Sequence, residues 1–96
     1  MIENKIISLN HTVVQSEQNV VSDMDGEKVM LSVHNGKYYN LGQTGGRIWN
    51  IIEAPVSVSR LITILISEYD VEQAECEEQV ISFLERLLEE GLINIT

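Results

Sequence analysis

The chain has one cysteine, one proline, one tryptophan and one phenylalanine in 96 residues, and six basic residues against fifteen acidic ones. With Cys76 alone no internal disulfide can form, and a thiol lacking an activating neighbour is more often a buried structural cysteine than a nucleophile. No apolar run approaches the roughly 18 residues that a membrane span requires. The N-terminal MIENKIISLN carries an early acidic residue and no apolar stretch ending in small residues, so no secretory signal is expected and a cytoplasmic location follows. The formal net charge of −9 disfavours nucleic acid and any other partner made of phosphates. That field would hasten encounter with a basic peptide, or simply keep a small domain soluble; Glu72, Glu75, Glu77 and Glu78 read first as a solvated helix face. His11 and His34 have no cysteine or carboxylate at zinc-like spacing, and Gly45-Gly46 lacks the lysine and serine of a phosphate loop. No metal, cofactor or catalytic constellation is expected.

What is present is an ordered change of pattern. Ninety-six residues fit one domain. Residues 1–10 read as a flexible arm and 11–96 as the folded unit. Thr12 to Ser16 suggests a short strand. Val20 to Met24, a turn at Asp25-Gly26, and Val29, Leu31 and Val33 alternating with Met30, Ser32 and His34 read as a hairpin. Asn35-Gly36 is a second turn signal, returning the chain through Lys37-Tyr38-Tyr39-Asn40-Leu41 as the third strand of a meander. From Gly42 the period becomes helical. A first helix is expected over about Gln43 to Glu53, ended by Ala54-Pro55, and a second over Val58 to Glu68 with Ser57 as N-cap. A third, from about Val71 to Glu90, is capped by Asp70 and stopped by Gly91, after which Leu92, Ile93 and Ile95 return as an extended tail.

The run Gly36-Lys37-Tyr38-Tyr39-Asn40-Leu41-Gly42-Gln43-Thr44-Gly45-Gly46-Arg47-Ile48-Trp49 resembles the strand-to-helix signature of PqqD-like proteins, in which an aromatic, a leucine, a glycine and an Ile-Trp pair recur. Glu68-Tyr69-Asp70-Val71 and Glu89-Glu90-Gly91-Leu92-Ile93 are similar to that family's helix boundaries. The likeness covers about Val20 to Ile95. One position departs: Gly42 stands where the family usually has an asparagine as helix cap, and glycine is a weaker cap.

The resemblance implies an α+β fold, a winged helix-turn-helix with an N-terminal three-stranded antiparallel sheet followed by three helices. It also implies a non-catalytic role without cofactor, binding the leader of a ribosomal precursor peptide and delivering it to a modifying enzyme. A leader peptidase, an ATP-dependent cyclase of lasso-peptide type, or another enzyme acting on such peptides is the implied partner. Binding would be by strand addition to the Lys37–Leu41 edge, with Tyr39 and Leu41 sharing one face by the two-residue period. The apolar residues of the third helix spread over an arc of roughly 160° at 100° per residue, wider than a minimal core stripe. Its Cys76-Gln79-Val80-Phe83 margin is preferred as groove wall over Glu77-Ile81-Leu88, because it has an aromatic and a polarizable thiol. The expected binding residues are therefore Lys37, Tyr38, Tyr39, Asn40, Leu41, Cys76, Gln79, Val80 and Phe83, with Trp49 in the core. A winged-helix DNA-binding regulator is the competing reading, weakened because the third helix offers Arg86 among many carboxylates. An adaptor that docks only to an enzyme is the third.

Overall fold

The computed structural model describes residues 7–17, 19–24, 27–33 and 36–96. The element order is β1 (Thr12–Gln15), β2 (Asn19–Met24), β3 (Glu27–Ser32), β4 (Tyr38–Leu41), α1 (Gly42–Ile51), β5 (Val56–Ser57), α2 (Val58–Glu68), α3 (Gln73–Glu89) and β6 (Ile93–Ile95). The α+β class, the antiparallel meander and the three helices are those the sequence implies. The Asp25-Gly26 turn, Asn35 of the second turn and His34 lie outside the described residues, as do residues 1–6 of the expected arm.

Two three-stranded sheets form rather than one. β2, β3 and β4 make the expected meander, while β1 sits between β5 and β6 in a second sheet. β1 is thus not a continuation of the meander: Thr12 faces Ser57, and Gln15 faces Ile93. Within the expected arm, Ile7 is 2% exposed and joins the core, and its N–H donates to Glu85 Oε2 of α3 at 3.1 Å.

The helices follow their local chemistry. The Ser57 hydroxyl accepts from Arg60 N–H at 3.1 Å and caps α2, whose Val58, Leu61, Ile62 and Leu65 form the buried stripe. Ser57→Ala is expected to lower stability by about 1 kcal/mol, the usual worth of such a cap, as read from denaturant midpoints. The third helix begins later than the spacing suggests. Tyr69 and Glu72 are both extended, so Val71 stays in a linker, Glu72 rather than Asp70 is the N-cap position, and no side chain caps it. Gly91, at φ 78°, ends α3 in the left-handed conformation that glycine adopts without strain.

Gly42 differs from its expected role. Its φ of 74° is again left-handed, Leu41 holds the N-cap position with no side-chain cap, and two residues back Asn40 Oδ1 accepts from Gly42 N–H at 3.0 Å. Ile48 and Trp49 of α1 pack with Met30, Leu61, Leu65, Val80 and Leu84 in one core that α1, α2, α3 and both sheets share.

Candidate peptide-binding groove

Tyr39 and Leu41 pack against the core, whereas Tyr38 is 74% exposed and Asn40 is exposed. The ladder phase follows from one bond, Ser32 N–H to the Lys37 carbonyl at 2.9 Å. Counting from it, Tyr39 is hydrogen-bonded to its opposite number Met30, while Tyr38 and Asn40 occupy non-hydrogen-bonded pairs with Leu31 and Val29. Tyr38 and Asn40 therefore turn their N–H and C=O away from β3. β4 pairs only with β3 among the described strands, so these groups form an open edge.

Facing that edge is α3. A cavity of 350 Å³ opens between β4, the start of α1 and α3, lined by apolar groups of Leu41, Ile48, Leu65, Val71, Val80 and Phe83, with Cys76 and Gln79 on the α3 side. A second hollow of 260 Å³ continues past Phe83, between Tyr38–Leu41 and Arg86, Leu87 and Glu90. Gly45 keeps the first part open: a Cβ there would stand 3.0 Å from Phe83 Cζ and 3.3 Å from Leu41 Cβ. The structure thus brings eight of the nine expected residues to one groove. Lys37 stands at its end, 3.6 Å from Glu90 Oε1. Thr44, Gly45, Ile48, Leu65, Tyr69 and Val71 also line it and were not anticipated, because they belong to α1, α2 and the linker. Only the Gly45-Gly46 pair carried a signal, as a place where something approaches a helix closely.

Of the two margins of α3, the Cys76-Gln79-Val80-Phe83 side forms this groove. On the other side Ile81 and Leu88 are partly buried against the core, Glu85 holds Ile7 N–H, and Glu77 faces Leu9 across a small hollow. Cys76 is buried, and desolvation with the nearby Glu77 pushes its thiol pKa up, so it remains a protonated, polarizable packing group.

A polar latch joins strand and helix at the far end. Tyr39 Oη donates to Glu90 Oε1 at 2.7 Å. That bond first, and then the charges of Lys37 and Arg86, hold the Glu90 carboxyl below the usual carboxylate range. Such a group adds stability above its unfolded pKa and loses it as pH falls through the folded value. Glu90→Gln is therefore expected to melt below the native chain at neutral pH, and the two melting curves should converge on acidification.

The family model described as Coenzyme PQQ synthesis protein D (PqqD) matches residues 27–93. The chain belongs to the PqqD family. The match runs from β3 to the first residue of β6 and so contains both walls of the groove. No curated protein matches this PqqD-family chain. Among solved structures, TbiB1 in complex with the TbiA(beta) leader peptide is similar over 84% of this chain and 94% of its own, with 27% identity and a TM-score of 0.76. A lasso peptide synthetase B1 complexed with the leader peptide is similar over 85% and 96%, with 24% identity and a TM-score of 0.74, and shares the fold.

Proposed function

We propose that this chain is a non-catalytic leader-peptide-binding protein that captures a ribosomal precursor peptide by strand addition between β4 and α3. The observation that carries this reading is the coincidence of two features on one groove. Tyr38 and Asn40 present unpaired backbone groups along the 260 Å³ hollow that they line, and the apolar cavity of 350 Å³ adjoins it at Leu41 and Phe83. Backbone bonds would supply affinity without regard to sequence, and the cavity would select an apolar side chain at one position of the added strand. The likeness to TbiB1, whose structure holds a leader peptide, supports the same assignment. No cofactor is needed for such binding, and the exposed Glu75, Glu78 and Glu89 of α3 fit a peptide partner better than a phosphate backbone.

Delivery to a modifying enzyme, a leader peptidase or an ATP-dependent cyclase of a lasso-peptide pathway, is the second half of the proposal, with a cytoplasmic location for the assembly. It has its own observation. The outer face of the meander carries a cross-strand row, Val20, Leu31 and Tyr38, in which Val20 is 53% exposed. An apolar stripe on a sheet face beside the peptide edge suits contact with a second protein. No helix of the described residues is long and apolar enough to cross a membrane.

Titration with the cognate leader peptide, followed by calorimetry, tests the reading. Saturable binding without added cofactor is expected, and Phe83→Ala should weaken it by about tenfold or more, as truncation of a central aromatic contact does. Phe83 is only partly buried, so the fold should lose less than the roughly 3–5 kcal/mol of a fully buried aromatic. Duplex DNA binding at moderate salt with no response to leader would replace this reading with the regulator. Binding to the enzyme without affinity for leader would replace it with the docking adaptor.

A further inference from the structure

The groove is not uniform along its length. Around Leu41, Val80 and Phe83 it is apolar; past Phe83, toward the end of α3, Arg86 and Glu90 form its wall. Basic side chains are scarce, and two of the six are paired elsewhere, Lys28 with Asp23 and Arg47 with Glu68. Glu90 already receives the Tyr39 hydroxyl and stands beside Lys37. Arg86, exposed on the same wall, forms no ion pair among the described residues. A strongly acidic chain thus gathers positive charge at one end of one groove.

We infer that Arg86 forms a subsite for a carboxylate side chain of the bound leader, an aspartate or glutamate set at a fixed short distance from the apolar residue that fills the cavity. This rests on the leader-groove reading and adds a second determinant of specificity to it. A guanidinium presents its donors in a planar fork that matches a carboxylate, and with Glu90 turned to Tyr39 and Lys37 that fork is open to an incoming group. Lys37 is balanced by Glu90 at 3.6 Å, so Arg86 carries the net positive charge of this end, and a leader lysine placed here would be repelled. The net charge of −9 acts on the approaching peptide from the whole surface and is screened beyond a Debye length of about 8 Å, whereas Arg86 acts at contact.

The spacing follows from the two walls. The α3 residues lining the apolar part, Cys76 to Phe83, precede those lining the polar part, Phe83 to Glu90, by about seven positions, or about 10 Å of helix. An extended peptide covers that length in about three residues. Alternate side chains share a face, so the acid and the apolar anchor should stand about two or four residues apart.

A random peptide library displayed on phage, selected on the immobilised full chain and on its Arg86→Gln and Arg86→Glu variants, tests this. Wild-type selections should combine an apolar anchor with an acid on one fixed side of it. A synthetic peptide of that kind should bind Arg86→Gln about three- to tenfold more weakly, the range of a partly exposed ion pair within a groove. Arg86→Glu should exchange the acid for lysine or arginine and retain the anchor. Arg86 is exposed, so melting curves should show both variants folded. An anchor without an acid, or an acid preference that neither variant changes, overturns the subsite and leaves the leader groove standing. Failure to enrich any peptide whose binding is lost in Phe83→Ala overturns both.

Discussion

Trp49→Ala is expected to remove most of the stability of the domain. Trp49 is 4% exposed and belongs to the core shared by the helices and both sheets. Truncating a buried tryptophan costs about 3–5 kcal/mol, while a domain of this size has a total stability of roughly 5–10 kcal/mol. The Trp49 carbonyl also accepts from Gln15 Nε2 at 2.7 Å, so a shift of α1 would disturb β1 and the second sheet with it. Denaturant unfolding should show a much lower midpoint, and loss of leader binding should track the unfolded fraction. A variant that keeps its midpoint but loses binding would move Trp49 from the core to the peptide site.

The second large effect is on binding alone. Tyr38→Pro should reduce leader affinity by about tenfold or more while the fold persists. Proline is tolerated on an edge strand where the N–H faces outward, and the Tyr38 N–H does so by the phase of the ladder. The substitution removes one donor to the added strand and puts a ring in its path. The Tyr38 side chain is largely exposed, so little packing is lost with it. Asn40→Pro removes the equivalent donor but also the Asn40 Oδ1 bond to Gly42 N–H, so it should lower the melting temperature as well. Calorimetry beside thermal melts separates the two. If both variants remain folded and bind leader normally, the peptide does not add to β4.

Both expectations combine local and long-range information, and the two differ in what the sequence could disclose. The boundaries of α2 were legible because every cause of that helix lies within it or beside it: the Ser57 cap, the preceding proline and the apolar stripe at helical spacing. The meander was legible for the same reason, since alternation and tight turns specify pairing between neighbouring strands. The second sheet was not. Val56–Ser57 is too short to show a period, and Gln15 meets Ile93 across nearly the whole chain, a register that only global packing sets. The late start of α3 is another such case: extended backbone at Tyr69 and Glu72 carries Val71 to the cavity, where no residue type announced it.

For the site, residue type and period by themselves determined that Lys37–Leu41 is a strand and that the third helix carries a wide apolar arc, because strand and helix periods are properties of the local backbone. That this strand is an open edge came from the family resemblance and the sheet pairing. Residue type and period did not determine which margin of that arc faces the edge. Tertiary structure decided it by placing Ile7 and Leu9 along the other margin and keeping Gly45 bare beneath Phe83. Charge divided in the same way. The balance of acidic and basic residues is a sum over the chain, so it predicted an acidic protein; the positive end of the groove depends on folding that carries Lys37 and Arg86, far apart in sequence, to the two sides of Glu90.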